Sequence, residues 1–443
     1  NRHFKDASPK GGYYSHIDPI TLSPHAESLG KNRSKKNWNS VGDHAPAYLI
    51  NLFLATGNPE YADFLETTFD TISAHFPDYQ ASPFVQERFF DDWSKDQSWG
   101  WQQNRAVVGH NLKIAWNLTR MNSLRGKDEY VNLAKQIAEV MPAAGSDRQR
   151  GGWYDVVERV LEPGQNFHRF VWHDRKAWWQ QEQAILAYLI LTGALKDEKY
   201  RKHAREAASF YNAWFLDTEC GGVYFNVLAN GQPYALGTER GKGSHSMAGY
   251  HSFELCYLAA AYTNLLITKE PLELYFKPKQ GGFPDNVLRV APDLLPAGSV
   301  RIGSVWINGQ EHRDFDAEAL TVKLPADAAE MKVRVRLEPA EVALDADLLE
   351  VDGGVAKIAL AGEFEPRVTR IVEEQVDAAL AQHATSFVFV ANDLKTISSE
   401  AIRYLVFTKQ RLGSDVQMSL VGTNDAVRQA IEASEFNEEI ALA

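Results

Sequence analysis

Three Gly-Gly-aromatic segments recur in the first half of the chain: Gly11-Gly12-Tyr13-Tyr14, Gly151-Gly152-Trp153-Tyr154 and Gly221-Gly222-Val223-Tyr224. Each opens a short alternating stretch that ends at a turn, and Asn230-Gly231 after the third copy is a hairpin signal. Helical patterns lie between and after them: 44–56, 61–75, 111–120, 128–141, 178–192, 198–214 and 252–267. Asn58, Asp128 and Asp197 stand where helix starts are expected. A helix pair closed by a hairpin and then repeated predicts helices packed in two concentric layers as a ring. Helices 44–56, 178–192 and 252–267 are apolar nearly all round and are expected to be the buried inner members.

The hydrophobic period changes after Pro271. Segments 299–307, 320–324 and 331–337 alternate with period two, and Asn308-Gly309 marks a turn, which predicts a small β module. From 342 onward strands at 355–360, 386–390 and 416–421 alternate with helices at 368–383, 399–412 and 425–433, the pattern of an α/β sheet. The expected division is therefore 1–268, mainly α; 269–341, small β module or linker; and 342–443, α/β.

The net charge of −12 argues against non-specific nucleic-acid binding. No run of the sequence reaches membrane-spanning length. Cys220 and Cys256 alone give no disulfide framework, and a cytoplasmic location is the expectation. Ten of eleven Trp fall within residues 1–214 and eleven of thirteen His within 1–251, which places an aromatic-lined pocket in the helical region. Two of these histidines, His110 and His251, each stand at the start of an apolar helical run. A helix start offers free N–H groups and the positive end of the dipole, a setting that favours a neutral imidazole ready to take a proton. Two such bases facing one cavity can take a proton from one face of a carbon and return it to the other. A capping or packing role is the alternative for either alone. His168, His173 and His245 are further pocket candidates, with loop or packing roles equally open.

Four motifs in order resemble the N-acylglucosamine 2-epimerase family, which includes cellobiose 2-epimerase and mannose isomerase. They are Asn37-Trp38-Asn39…Asp43-His44, Gly109-His110-Asn-Leu-Lys113, Lys176-Ala-Trp178-Trp179-Gln-Gln181-Glu-Gln183, and Lys242-Gly243…Tyr250-His251 with Cys256 five residues on. The resemblance implies an (α/α)6-type barrel with a sugar pocket, of which the N-terminal helices are expected to be missing from this chain, leaving apolar inner helices uncovered. It implies His110 and His251 as the acid/base pair, and His44, Trp178, Trp179, Gln181, Arg105 and Lys113 as substrate-binding residues. The implied reaction is sugar 2-epimerisation or aldose–ketose isomerisation through an enediolate, with no cofactor and no metal. Arg105 or Lys113 would supply positive charge to the developing oxyanion. Three positions depart from the family: Lys113 and Gln183 stand where a Glu is usual, and Ser246 where the cellobiose-type enzymes carry a Trp. A catalytically inactive sugar sensor is the alternative.

In the last region, Phe387-Val-Phe-Val390 followed by Thr396-Ile-Ser398-Ser399-Glu-Ala401 resembles a STAS domain, the fold of anti-sigma-factor antagonists. The resemblance implies Ser399 as a phosphoacceptor candidate and a protein partner of the anti-sigma-factor or kinase type. Ser399 as a plain helix cap is the alternative.

Overall fold

The computed structural model describes all residues except 1, 39–41, 43–44, 98–103, 244–246, 248, 327–329, 341–343, 365–368, 414–415, 435–440 and 443. His44, His245 and Ser246 lie outside the described residues. The chain divides into two compact units. The first comprises 1–296 with 302–338, and the second 297–301 with 339–443.

In the first unit, short strands alternate with helix pairs: β1 (Lys35–Asn37), α1 (Ala45–Thr56), α2 (Pro59–His75), β2 (Arg88–Phe90), β3 (Ala106–Val107), α3 (Val108–Leu124), α4 (Asp128–Ala144), β4 (Val156–Val157), β5 (Lys176–Ala177), α5 (Trp178–Leu195), α6 (Arg201–Trp214), β6 (Asn226–Val227) and α7 (Tyr250–Tyr262). The strands pair antiparallel as β1 with β2, β3 with β4, and β5 with β6. Helix α3 packs on α4 and α5, and α5 on α6 and α7. The helix pairs pack in layers, as the repeat predicts.

The Gly-Gly hairpins share a chemistry that their glycines alone do not reveal. Gly152 and Gly222 have φ of 77° and 86°, and each follows a glycine that also has positive φ, the left-handed conformation open to glycine. A lysine further along the chain then clamps each loop, from strands β1 and β5 for Lys36 and Lys176 and from a turn for Lys242. Lys36 Nζ donates to Asp6 and to the Gly11 carbonyl at 2.7 and 2.6 Å. Lys176 Nζ donates to Asp147 and the Gly151 carbonyl at 2.9 and 2.6 Å. Lys242 Nζ donates to Asp217 and the Gly221 carbonyl at 2.6 and 2.8 Å.

The distribution of burial differs from the pattern read from composition. Helix α5 is enclosed as expected, but α1 and α7 each turn aromatic or aliphatic side chains to solvent: Tyr48 and Leu52 on α1, Phe253 and Tyr257 on α7. The helix enclosed beside α5 is α3, despite its Asn111, Lys113, Asn117, Thr119 and Arg120. Its polar groups are satisfied locally or by pairing. Asn117 donates to the Lys113 carbonyl and Thr119 to the Ala115 carbonyl, while Arg120 Nε reaches Asp293 at 2.8 and 3.0 Å. Buried polar groups of this kind cost little once hydrogen-bonded.

Asp293 lies in the β module, between its strands Val287–Arg289 and Val300–Ile307, and Tyr262 of α7 also donates to it at 2.9 Å. The module holds a four-stranded sheet, Gln310–His312, Val300–Ile307, Val333–Pro339 and Leu272–Phe276 in that order, and a three-stranded sheet, Phe315–Asp316, Thr321–Lys323 and Val287–Arg289.

The second unit is a five-stranded sheet in the order Leu344–Asp352, Val355–Phe364, Ser386–Ile397, Gln417–Val421, Ala441–Leu442. The first pair is antiparallel and the remaining three are parallel. Helices α8 (Thr369–Ala381), α9 (Ser399–Leu412) and α10 (Asp425–Glu432) connect the strands. Strand 344–352 is absent from the sequence reading. Its Leu-Asp-Ala-Asp alternation carries the right period, but four acidic residues give it a composition depleted in strands.

Candidate active site

Helices α3 and α5 each begin where a short strand ends, so the strand pairs fix the height of these two helix starts. Val108 follows β3 directly and Trp178 follows β5 directly. His110 is the third residue of α3, Trp178 and Trp179 are the first two of α5, and His251 is the second of α7. These four line one cavity of about 240 Å³, together with Asp155, Arg175, Ala177, Phe225, Asn226 and Glu239. Trp179 stands between the histidines, with ring centroids 5.5 Å from His110 and 5.7 Å from His251. Helix starts α3 and α5 are tied by Gln180, whose Oε1 accepts the Gly109 N–H at 2.6 Å.

His110 has a carboxylate partner that the sequence reading missed. Its Nδ1 lies 2.9 Å from Glu87 Oε2, with both side chains about 15% exposed. A carboxylate accepts, so Nδ1 carries the hydrogen and Nε2 keeps its lone pair. Glu87 sits beside β2, and its carbonyl accepts the Trp38 N–H at 3.0 Å, which anchors the backbone. His251 has a different neighbour: its Nδ1 is 3.3 Å from Gln183 Nε2. Gln183 is fully buried, and its Oε1 accepts the Trp116 indole N–H at 2.7 Å.

The facing wall is ionic. Arg175 donates to Asp155 through Nε and to Glu239 through Nη1, while Gln180 donates to the other Asp155 oxygen. Burial, the dominant influence, pushes the Asp155 carboxyl above the usual carboxylate range, and Arg175 pulls against it. The Arg175 guanidinium stacks on Trp172 at 4.3 Å from the ring centroid.

The other candidate residues do not line this cavity. Gln181 is buried, with its amide committed to the Trp153 N–H and carbonyl and to the Ala177 carbonyl, where it holds the second Gly-Gly loop. Lys113 is buried, with Nζ 5.6 Å from the Tyr250 ring centroid, and its charge opposes the rise that burial imposes on the Glu254 carboxyl. Arg105 is half-buried in the approach to β3, close enough to Asp155 to lower that carboxyl. His168 bonds the Glu158 carbonyl at 2.7 Å and His173 stacks on Tyr234 at 4.9 Å. Among the described residues no group of three His, Cys, Asp or Glu could hold a metal ion, and no helix is long and apolar enough to cross a membrane.

In the second unit, Ser399 is the exposed first residue of α9. The cap is Ser398, whose Oγ accepts the Ala401 N–H at 3.1 Å. Ser399, Arg403 and Phe407 lie on one exposed face of α9, and Phe407 is 57% exposed.

Several solved structures are similar to this chain. A solved D-mannose isomerase is 22% identical over 53% of this chain and 58% of its own, with a TM-score of 0.44. Cellobiose 2-epimerase from Spirochaeta thermophila is 20% identical over 59% of this chain and 61% of its own, with a TM-score of 0.48. The enzyme of the same name from Bacillus thermoamylovorans is 20% identical over 51% and 52%, with a TM-score of 0.42. The chain thus spans between 52% and 61% of the length of these structures. Among curated proteins none matches. Residues 348–443 match the STAS domain and residues 22–251 match N-acylglucosamine 2-epimerase, GlcNAc 2-epimerase. With that match covering more than half of its length, the chain belongs to the N-acylglucosamine 2-epimerase family and carries a C-terminal STAS domain.

Proposed function

We propose that the first unit is a carbohydrate 2-epimerase or aldose–ketose isomerase, and that the STAS domain regulates it through a protein partner. The observation that carries this reading is the placement of His110 and His251 on one cavity, on either side of Trp179. A sugar in its open form presents a C2 proton made acidic by the neighbouring carbonyl. His110 Nε2, with Nδ1 held by Glu87, takes that proton and yields an enediolate. Trp179 and Trp178 supply apolar faces against which the C–H side of a sugar packs, while Arg175, Glu239 and Asn226 offer donors and acceptors to its hydroxyls. Returning the proton to C2 on the opposite face gives the epimer, and delivery to C1 gives the ketose.

The experiment is incubation of the protein with D-mannose, D-glucose and cellobiose in D2O, followed by NMR at C2–H. Exchange supports the enzyme. Binding without exchange would make the unit a sugar sensor signalling through its STAS domain, and neither binding nor exchange would remove the sugar from the account.

A further inference from the structure

We infer that the β module carries a separate binding site, on the exposed face of its four-stranded sheet, and that this site takes an acidic oligosaccharide. Strands Leu272–Phe276 and Val333–Pro339 are adjacent and antiparallel, with Glu273 opposite Arg336 and Tyr275 opposite Arg334. The bridge between Lys279 and Glu330 continues the same register past the strand ends. That register sets Lys277 directly opposite Lys332. Side chains of opposed residues share a face and successive pairs alternate, so these four pairs stand together on one face. Val333, Val335 and Leu337 point the other way and are buried. The pairs on either side of this stretch join opposite charges, Glu273 with Arg336 and Lys279 with Glu330. Lys277 and Lys332 set like charges against each other, an arrangement that destabilises a sheet. Both are exposed, and among the described residues neither ammonium has a carboxylate partner.

An aromatic surface adjoins this pair. Tyr275 is 72% exposed, and the Arg334 guanidinium stacks on Trp306 at 3.8 Å from the ring centroid. Trp306 belongs to Val300–Ile307, the other neighbour of Val333–Pro339, so it stands two strand spacings from Tyr275, about 10 Å. Tyr275, Phe276, Lys277, Trp306, Lys332 and Arg334 line one cavity of about 530 Å³. Among the described residues no carboxylate lines it. It shares no lining residue with the histidine cavity, and its role does not depend on the reaction proposed there.

Charge complementarity sets the sign of the occupant, because an anion between Lys277 and Lys332 relieves their repulsion. The rings set its shape. A sugar packs its C–H side on an aromatic face such as Tyr275. A carboxylate on the same or the next sugar then meets the two ammoniums or the Arg334 guanidinium. A uronate carries both groups on one ring, and a short chain of uronates repeats them along the patch. A nucleic acid fits less well, since the net charge is −12 and Arg334 already covers a face of Trp306 on which a base would stack. An extended peptide adds to a sheet edge, whereas this patch lies on a face.

The test is isothermal titration of the full chain with tetramers of galacturonate, glucuronate and mannuronate. A neutral glucose tetramer, a thymidylate tetramer and a glutamate peptide are the comparison probes. At least one uronate tetramer should bind saturably, about tenfold or more tighter than every comparison probe, and salt should weaken it. Lys277→Gln combined with Lys332→Gln should weaken that binding roughly tenfold or more. Tyr275→Ala should weaken it by a similar factor. Lys277→Glu separates recognition from folding. It sets opposite charges across the ladder, so binding should be lost while Tm stays at or above the wild-type value. The site would be overturned by no saturable binding of any uronate tetramer, or by a comparison probe that binds as tightly as the best of them. Affinity unmoved in the variants, or a Tm lowered by Lys277→Glu, would overturn it equally.

Discussion

A carboxylate bonded to one imidazole nitrogen decides which nitrogen does chemistry, and Glu87 is that carboxylate for His110. Glu87→Gln keeps the shape but allows the amide NH2 to face Nδ1, which would favour the wrong tautomer. We expect kcat to fall by roughly 10²-fold with KM little changed, while Glu87→Asp retains part of the activity. Steady-state kinetics on both variants is the check, and equal rates for wild type and Glu87→Gln would leave Glu87 as a packing residue. The histidines themselves were legible because a helix start followed by an apolar run is a local pattern. Glu87 was not, because it reaches His110 from 23 positions away, next to a strand of only three residues that has no period to read. The resemblance directed attention to position 113 instead, where the lysine lies by Tyr250 and influences Glu254 on α7.

At the level of elements, two buried devices hold the helix layers and behave differently on mutation. The Lys176–Asp147 clamp is sealed, with side chains 0% and 3% exposed, whereas the Lys242–Asp217 clamp is 31% and 14% exposed. Removing one partner of a sealed pair strands the other charge. Lys176→Met is therefore expected to cost about 3–5 kcal/mol, and Lys242→Met far less. Chemical denaturation of the two variants compares them directly, and equal losses would contradict the burial argument. The glycines of these loops were visible in the sequence as a repeat. Their lysines follow 21 or 25 positions after the first glycine, a second repeat that becomes visible only once the loops are known to be hairpins.

The other device is Glu182 on α5, which accepts from Tyr211 of α6 at 2.6 Å and from Ser252 of α7 at 2.7 Å. Burial pushes its carboxyl up to about 7, against the two hydrogen bonds. The folded state thus keeps its proton over a range in which the unfolded chain releases it. The unfolded state gains from about pH 4.5 upward, and the cost to stability levels off above about pH 7. Glu182→Gln removes this dependence, so its stability relative to wild type should rise by on the order of 2–3 kcal/mol between pH 5 and 8. A Tm difference that stays constant over that range would show that Glu182 ionises normally.

For the molecule as a whole, the presence of a mainly helical part and a C-terminal α/β part was legible because hydrophobic period is a long-window property that many residues share. The finer functional assignment in the STAS domain depends on two adjacent serines, which pattern alone does not separate. The structure gives them distinct positions: Ser398 caps α9, and Ser399 stands exposed at its first turn. This makes a charge at 399 a clean probe. Negative charge at a helix N-terminus is locally favourable, so Ser399→Asp should leave the fold intact, whereas Ser398→Ala should cost about 1 kcal/mol as a lost cap. The buried side of α9, with Ala401, Ile402, Leu405 and Val406, belongs to a core formed within the second unit, and Ser399, Arg403 and Phe407 lie outside it. A partner that covers Phe407 would have to accept the added charge beside Glu400 without a solvent shell. Ser399→Asp is therefore expected to abolish partner capture and Ser399→Ala to preserve it. Exchange of sugar C2–H should be unchanged in both, because Ser399 lies in the second unit and His110 and His251 lie in the first. The measurement is a pull-down with wild type and the two variants, run beside the D2O exchange assay. Identical partner profiles for all three would remove Ser399 from the interface, and a parallel loss of exchange in Ser399→Asp would show that the two units are coupled.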